Sequence, residues 1–89
     1  MMYPFMQLED NTEIVHSEIL ENGRVKVYIE RPIDGGFQSA VCYLPRYDWQ
    51  DVVGFSEQDI TNYQEILEST AHLIIQFAKD GGFDSATSF

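Results

Sequence analysis

The stretch FSEQDITNYQEILESTAHLIIQFAKDGG, residues 55–82, constrains this chain more than any other, because both of its ends carry helix-end chemistry. Ser56 is a strong N-cap residue, and Asp59 stands at N3, where a carboxylate reaches back to the N–H of the cap. Phe55 and Ile60 hold the N′ and N4 positions of a hydrophobic staple. At the other end Lys79 puts a cation in the last turn, and Gly81 suits the left-handed C′ conformation. The spacing predicts one helix over residues 57–80, about 36 Å long at ~1.5 Å per residue.

Placed at ~100° per residue, Ile60, Tyr63, Leu67, Ala71, Ile74 and Ala78 form one stripe. Ile66, Thr70, Leu73 and Phe77 flank it on one side and Ile75 on the other, which widens the apolar arc to about 200°, against the ~100° or more that a helix on a single core shows. One sheet face is not expected to cover such an arc. Ile66, Leu73, Ile75 and Phe77 are therefore candidate interface residues for a second subunit, and a two-fold homodimer through the helix or through an edge strand is expected. The opposite side, with Gln58, Glu65, Glu68, Ser69, His72 and Gln76, is polar, and Glu65 and Glu68 are candidates for contact with a basic partner.

The remainder of the chain reads as strands. Residues 3–8, YPFMQL, have strand character, with Pro4 confining them to an edge or a beginning. Residues 12–20 form the next strand, and Asn22-Gly23 signals a type I′ hairpin turn. In residues 24–31 Val25, Val27 and Ile29 alternate with Lys26, Tyr28 and Glu30, so one face is buried and one wet. Pro32 is expected to end that strand, Asp34-Gly35-Gly36 to form a loose turn, and residues 37–44 to resume extended structure with apolar residues on both faces. Residues 45–54, PRYDWQDVVG, are the least regular; Asp48 is expected to cap a short helical turn, and Tyr47 and Trp49 are candidate interface anchors.

The expected architecture is α+β: a three- to four-stranded antiparallel β-meander with one long C-terminal α-helix packed on one face, in two layers. It is a single domain over 1–89, with the sheet at 3–45, a connecting loop at 45–55, the long helix at 56–81 and a frayed tail at 82–89.

Charge limits the partners. Fifteen acids against five bases give −10, and between Arg46 and Lys79 six carboxylates occur without a cation. Such a surface repels phosphate, which argues against direct nucleic-acid binding and attachment to anionic membranes, and favours a protein partner with a basic surface. A single cysteine, no cationic start before an apolar run, and no apolar run near ~20 residues lead to an expected cytoplasmic location with no membrane span.

Catalytic chemistry is not indicated. His16 falls in a strand and His72 on the polar helix side, with no nucleophile paired to either by spacing, and Cys42 lies inside a strand as a buried thiol. Glu65, Glu68 and His72 share a helix face, but their Glu-x-x-x-His spacing on the outside of one helix differs from the inward Glu-x-x-His of di-iron bundles. The glycine pairs match no phosphate-binding pattern. No enzyme activity, cofactor or metal is expected.

Taken together, TEIVHSEI, VYIERP followed by DGGF, SAVCYLP, a Trp-bearing loop, GFSEQDI and AHLIIQFAKDGG resemble small acidic proteins that accompany mobile and conjugative elements of gut Gram-positive bacteria. The resemblance spans nearly the whole chain and implies an accessory role, without functional residues to carry over. In topology the chain also looks like HicB-type antitoxins, which neutralise a basic toxin, although its linker and helix are longer and a DNA-binding appendage is lacking. The leading expectation is a non-enzymatic interaction protein; the alternatives are a HicB-like antitoxin or a nucleic-acid-mimicking inhibitor of a basic protein.

Overall fold

A computed structural model describes residues 2–81; the expectation for the tail falls outside them. The elements are β1 (Met2–Gln7), β2 (Glu13–Ser17), β3 (Val25–Ile33), β4 (Gly36–Leu44), β5 (Asp48–Val53) and α1 (Glu57–Lys79). Every neighbouring pair is antiparallel, and the sheet order β1-β2-β3-β4-β5 follows the sequence. The fold is the expected α+β meander with a C-terminal helix, but with five strands in place of three or four.

The extra strand is β5, in the segment read as connecting loop 45–55. Asp48 caps no helical turn; it stands opposite Tyr43, and Trp49 stands opposite Cys42. Pairing with β4 makes this strand, although its local signals are poor: Tyr47 in the preceding turn has φ 56°, Asp51 inside the strand has φ 51°, and the register slips between Ser39 and Val41.

Strand ends also differ from expectation. β3 continues through Pro32, which pairs with Phe37, because the ladder with β2 stops at Glu30 and a missing N–H there deprives no neighbour on that side. The β3–β4 turn is tight, with Ile33 opposite Gly36 and Gly35 at φ 82°. The β2–β3 turn is not type I′, since Gly23 takes φ 81° while Asn22 has no positive φ. Asn22 instead accepts the Arg24 N–H through Oδ1 at 3.0 Å, and the Gly23 N–H donates to the Leu20 carbonyl at 2.8 Å. β2 stops at Ser17, whose hydroxyl accepts the Lys26 N–H at 2.9 Å in place of a ladder bond.

The register separates the two sheet faces. Val25, Val27 and Ile29 stand opposite Leu44, Cys42 and Ala40, while Ile14 and His16 stand opposite Ile29 and Val27; all are buried beneath α1. Tyr63, Leu67, Ile74 and Ala78 of the predicted stripe complete the core. The helix ends follow the sequence reading. The Ser56 hydroxyl accepts the Asp59 N–H at 3.1 Å, Asp59 Oδ2 accepts the Ser56 N–H at 2.9 Å, and Gly81 has φ 82° beyond the Asp80 cap.

Arg31 fastens the helix start to the sheet. Its guanidinium donates to Gln38 Oε1, to Asp59 Oδ2 at 3.2 Å and to the Tyr63 hydroxyl at 3.5 Å, and it lies 5.0 Å over the Phe55 ring. Asp59 is consequently held below the usual carboxylate range, first by the Ser56 N–H and then by Arg31 against some burial.

Cys42 is fully buried, and burial, aided by the charge of Asp48, pushes its thiol up to about 12. A raised thiol contributes stability below its unfolded value and loses it as pH climbs from about 9 towards 12. At pH 8 the folded thiol is therefore protonated and unreactive. Ellman's reagent at pH 8 is expected to leave the native chain unmodified over the period in which the urea-unfolded chain reacts fully; equal rates would contradict this burial.

Candidate functional site: a groove between the edge strand and the helix

Two shallow concavities lie along the start of α1, and one of them reaches Val52 of the edge strand β5. One, of about 350 Å³, is lined by Ile60, Thr61, Gln64, Glu65 and Glu68; the other, of about 510 Å³, by Val52, Phe55, Ser56, Glu57, Ile60 and Thr61. They share Ile60 and Thr61, so they adjoin as a shallow groove along the first turns of α1.

Trp49 braces one of its lining residues, Gln64. The indole Nε1 donates to Gln64 Oε1 at 2.8 Å, and the Gln64 amide donates to Glu68 Oε2 at 3.4 Å. A half-buried indole with a satisfied N–H is rigid and amphipathic, the kind of side chain that anchors contacts. Tyr47 packs against the core close to Glu68, and burial first, then the Glu68 charge, raises its phenol above the ordinary value. Of the sequence candidates, Glu65 and Glu68 line the groove, while Trp49 stands beside it through Gln64 and Tyr47 near Glu68. Carboxylates of Glu57, Glu65 and Glu68 border the groove, with the partly exposed apolar Val52 and Ile60 between them.

The other four candidates lie elsewhere on α1. Ile66 and Ile75 are half-buried against the core, and Phe77 packs 6.1 Å from Phe5 of β1, so the sheet itself covers much of the wide apolar arc. Leu73 points outwards, 42% exposed. Five strands at ~4.8 Å make a sheet about 24 Å wide, enough for both of its edges to reach round the helix.

Sequence reasoning missed Gln64 and Val52. Gln64 was legible in principle: a lone Trp needs an acceptor, and Gln64 borders the apolar stripe four residues from both Ile60 and Glu68. Val52 was hidden by the failure to see β5.

Other features offer less. A concavity of about 310 Å³ at the β1 bulge is mainly apolar and has Glu13 as its one charged residue. A polar notch between two turns holds Arg24 and Arg46, but Arg24 is taken by Asp48 at 3.3 Å. His16 is buried beside Tyr3 and Phe5, its Nδ1 2.9 Å from the Ser17 carbonyl oxygen, while His72 is exposed. Among the described residues no three His, Cys, Asp or Glu side chains could hold a metal ion, and no helix is long and apolar enough to cross a membrane. Comparison with protein-family models, curated proteins and solved structures finds no match.

Proposed function

We propose that this chain is a non-enzymatic accessory protein that binds a basic protein partner, receiving a cationic amphipathic segment in the groove between β5 and α1. The observation that carries the reading is the Trp49–Gln64–Glu68 chain, which holds an aromatic anchor under a carboxylate rim. Apolar residues of the segment would pack on Val52 and Ile60, beside the Gln64 that Trp49 holds, while its Lys or Arg side chains meet Glu57, Glu65 and Glu68. Strand addition to β5 is disfavoured, because Asp51 and its bulge blunt that edge. A HicB-type toxin would be one instance of such a partner.

The nucleic-acid-mimic reading receives less support. Mimicry needs acids in one spaced row, whereas those of the described residues lie in the turns at both ends of the sheet, on β2, β3 and β5, and along α1.

Trp49 is the single tryptophan, so its emission reports on the groove. A synthetic amphipathic Lys/Leu peptide is expected to shift that emission, with affinity falling as salt rises. Glu65→Lys/Glu68→Lys should weaken binding at least about tenfold, while Glu9→Lys/Glu21→Lys, with the same change in net charge, should weaken it less than about threefold. Equal losses in the two variants would sink the groove and leave only general charge attraction.

A further inference from the structure

We infer that the sheet face turned away from α1 is a homodimer interface, on which a second copy of this chain packs face to face. This face carries Tyr28, Val41 and Tyr43 at its centre, with Phe37 61% and Val53 57% exposed towards one end. Its charges are Arg24 and Lys26 against Glu13, Glu30 and Asp48, a net −1 within a chain of −10. Two strongly acidic copies can approach there with little repulsion.

The face is also self-complementary in one orientation. Lys26, Tyr28 and Glu30 follow one another along its central strand, and among the described residues neither Lys26 nor Glu30 is in an ion pair. A two-fold axis in the contact plane, perpendicular to β3 at Tyr28, reverses the strand direction. Lys26 of each copy then lies over Glu30 of the other, and Phe37 of each is brought towards Tyr43 of the other. An axis parallel to β3 would set Lys26 over Lys26 and Glu30 over Glu30, which like-charge repulsion disfavours.

The area available is modest. With ~3.3 Å per residue and ~4.8 Å between strands, the five strands present about 550 Å² in projection, so stacking two faces removes on the order of 1,100 Å² before side-chain relief is added. That lies just below the ~1,200 Å² lower bound for stable specific interfaces, in the range of weak, reversible ones, so the dimer should depend on concentration. The α1 groove stays open in this arrangement, so partner binding and dimerisation are separable.

Sedimentation velocity from micromolar to near-millimolar protein tests the inference. Wild type should pass from monomer to dimer. Lys26→Glu and Glu30→Lys should each raise the dissociation constant at least about tenfold, and the double swap should return it to within about threefold of wild type. Glu30→Lys also removes the like-charge pair that Glu30 makes with Glu13 directly across β2, so its fold should be retained, as a thermal melt would verify. Phe37→Asp, at an exposed position, should give a folded monomer. A wild type that stays monomeric throughout, single swaps without effect, or a dimer dissolved by Leu73→Asp and not by Phe37→Asp would each overturn the assignment.

Discussion

Leu67→Ala is expected to lower the unfolding free energy by about 3 kcal/mol, and Leu73→Ala by less than about 0.5 kcal/mol, although the two residues belong to the same helix and the same apolar arc. Leu67 is fully buried in the cluster formed with Val27, Ile29 and Leu44, so truncation leaves a cavity in a closed core. Leu73 lies on the flank, 42% exposed, and its truncation only trims surface. A chain of this size has on the order of 5–10 kcal/mol in total, so the Leu67 variant should also melt roughly 15 °C lower. Urea titrations of both variants measure the difference. Similar losses at the two positions would mean that α1 is rotated from the orientation described.

What was legible in the sequence was local. Ser56 and Asp59 mark the start of the helix through bonds that span three residues, and Gly81 marks its end through a left-handed φ; both form as read. The alternation of Val25, Val27 and Ile29 likewise fixes which face of β3 is buried. β5 was not legible, because pairing with β4 holds it in place against poor local signals. Tyr47 and Asp51 take positive φ where no glycine announces it, and Asp48 in front of Trp49 imitates a helix cap. The candidate site suffered from the same gap. Trp49, Tyr47, Glu65 and Glu68 were each visible as residue types, but only β5 sets the aromatic pair against the helix carboxylates. The width of the apolar arc misled for a different reason: Phe5 of β1, a strand the sequence shows, reaches Phe77, and Ile66 and Ile75 are half-buried against the core, contacts between distant parts of the chain that helical periodicity does not reveal.

Gly54→Ala is expected to cost about 2–3 kcal/mol, whereas Gly23→Ala and Gly35→Ala should each cost about 1 kcal/mol. All three glycines have left-handed φ, at 86°, 81° and 82°, so the backbone penalty is shared. They differ in their surroundings. Around Gly23 and Gly35 an added Cβ meets nothing within 4 Å, but at Gly54 it would come within 2.9 Å of Gln38 Cγ. Gln38 cannot withdraw freely, since its amide donates to the Gly54 carbonyl at 3.0 Å and its Oε1 accepts from Arg31 Nε at 2.8 Å. Displacing it loosens Arg31, whose Nη2 stands 3.2 Å from Asp59, the residue that closes the capping box of α1. The added methyl therefore strains the link between β5 and the helix start as well as its own backbone. A double-mutant cycle separates the two contributions: in a Gln38→Ala background the obstruction is gone, and Gly54→Ala should cost only the ~1 kcal/mol seen at Gly23. If Gly54→Ala costs the same with and without Gln38, the contact carries no energy, and Arg31 is held by Asp59 and Tyr63 without help from this corner.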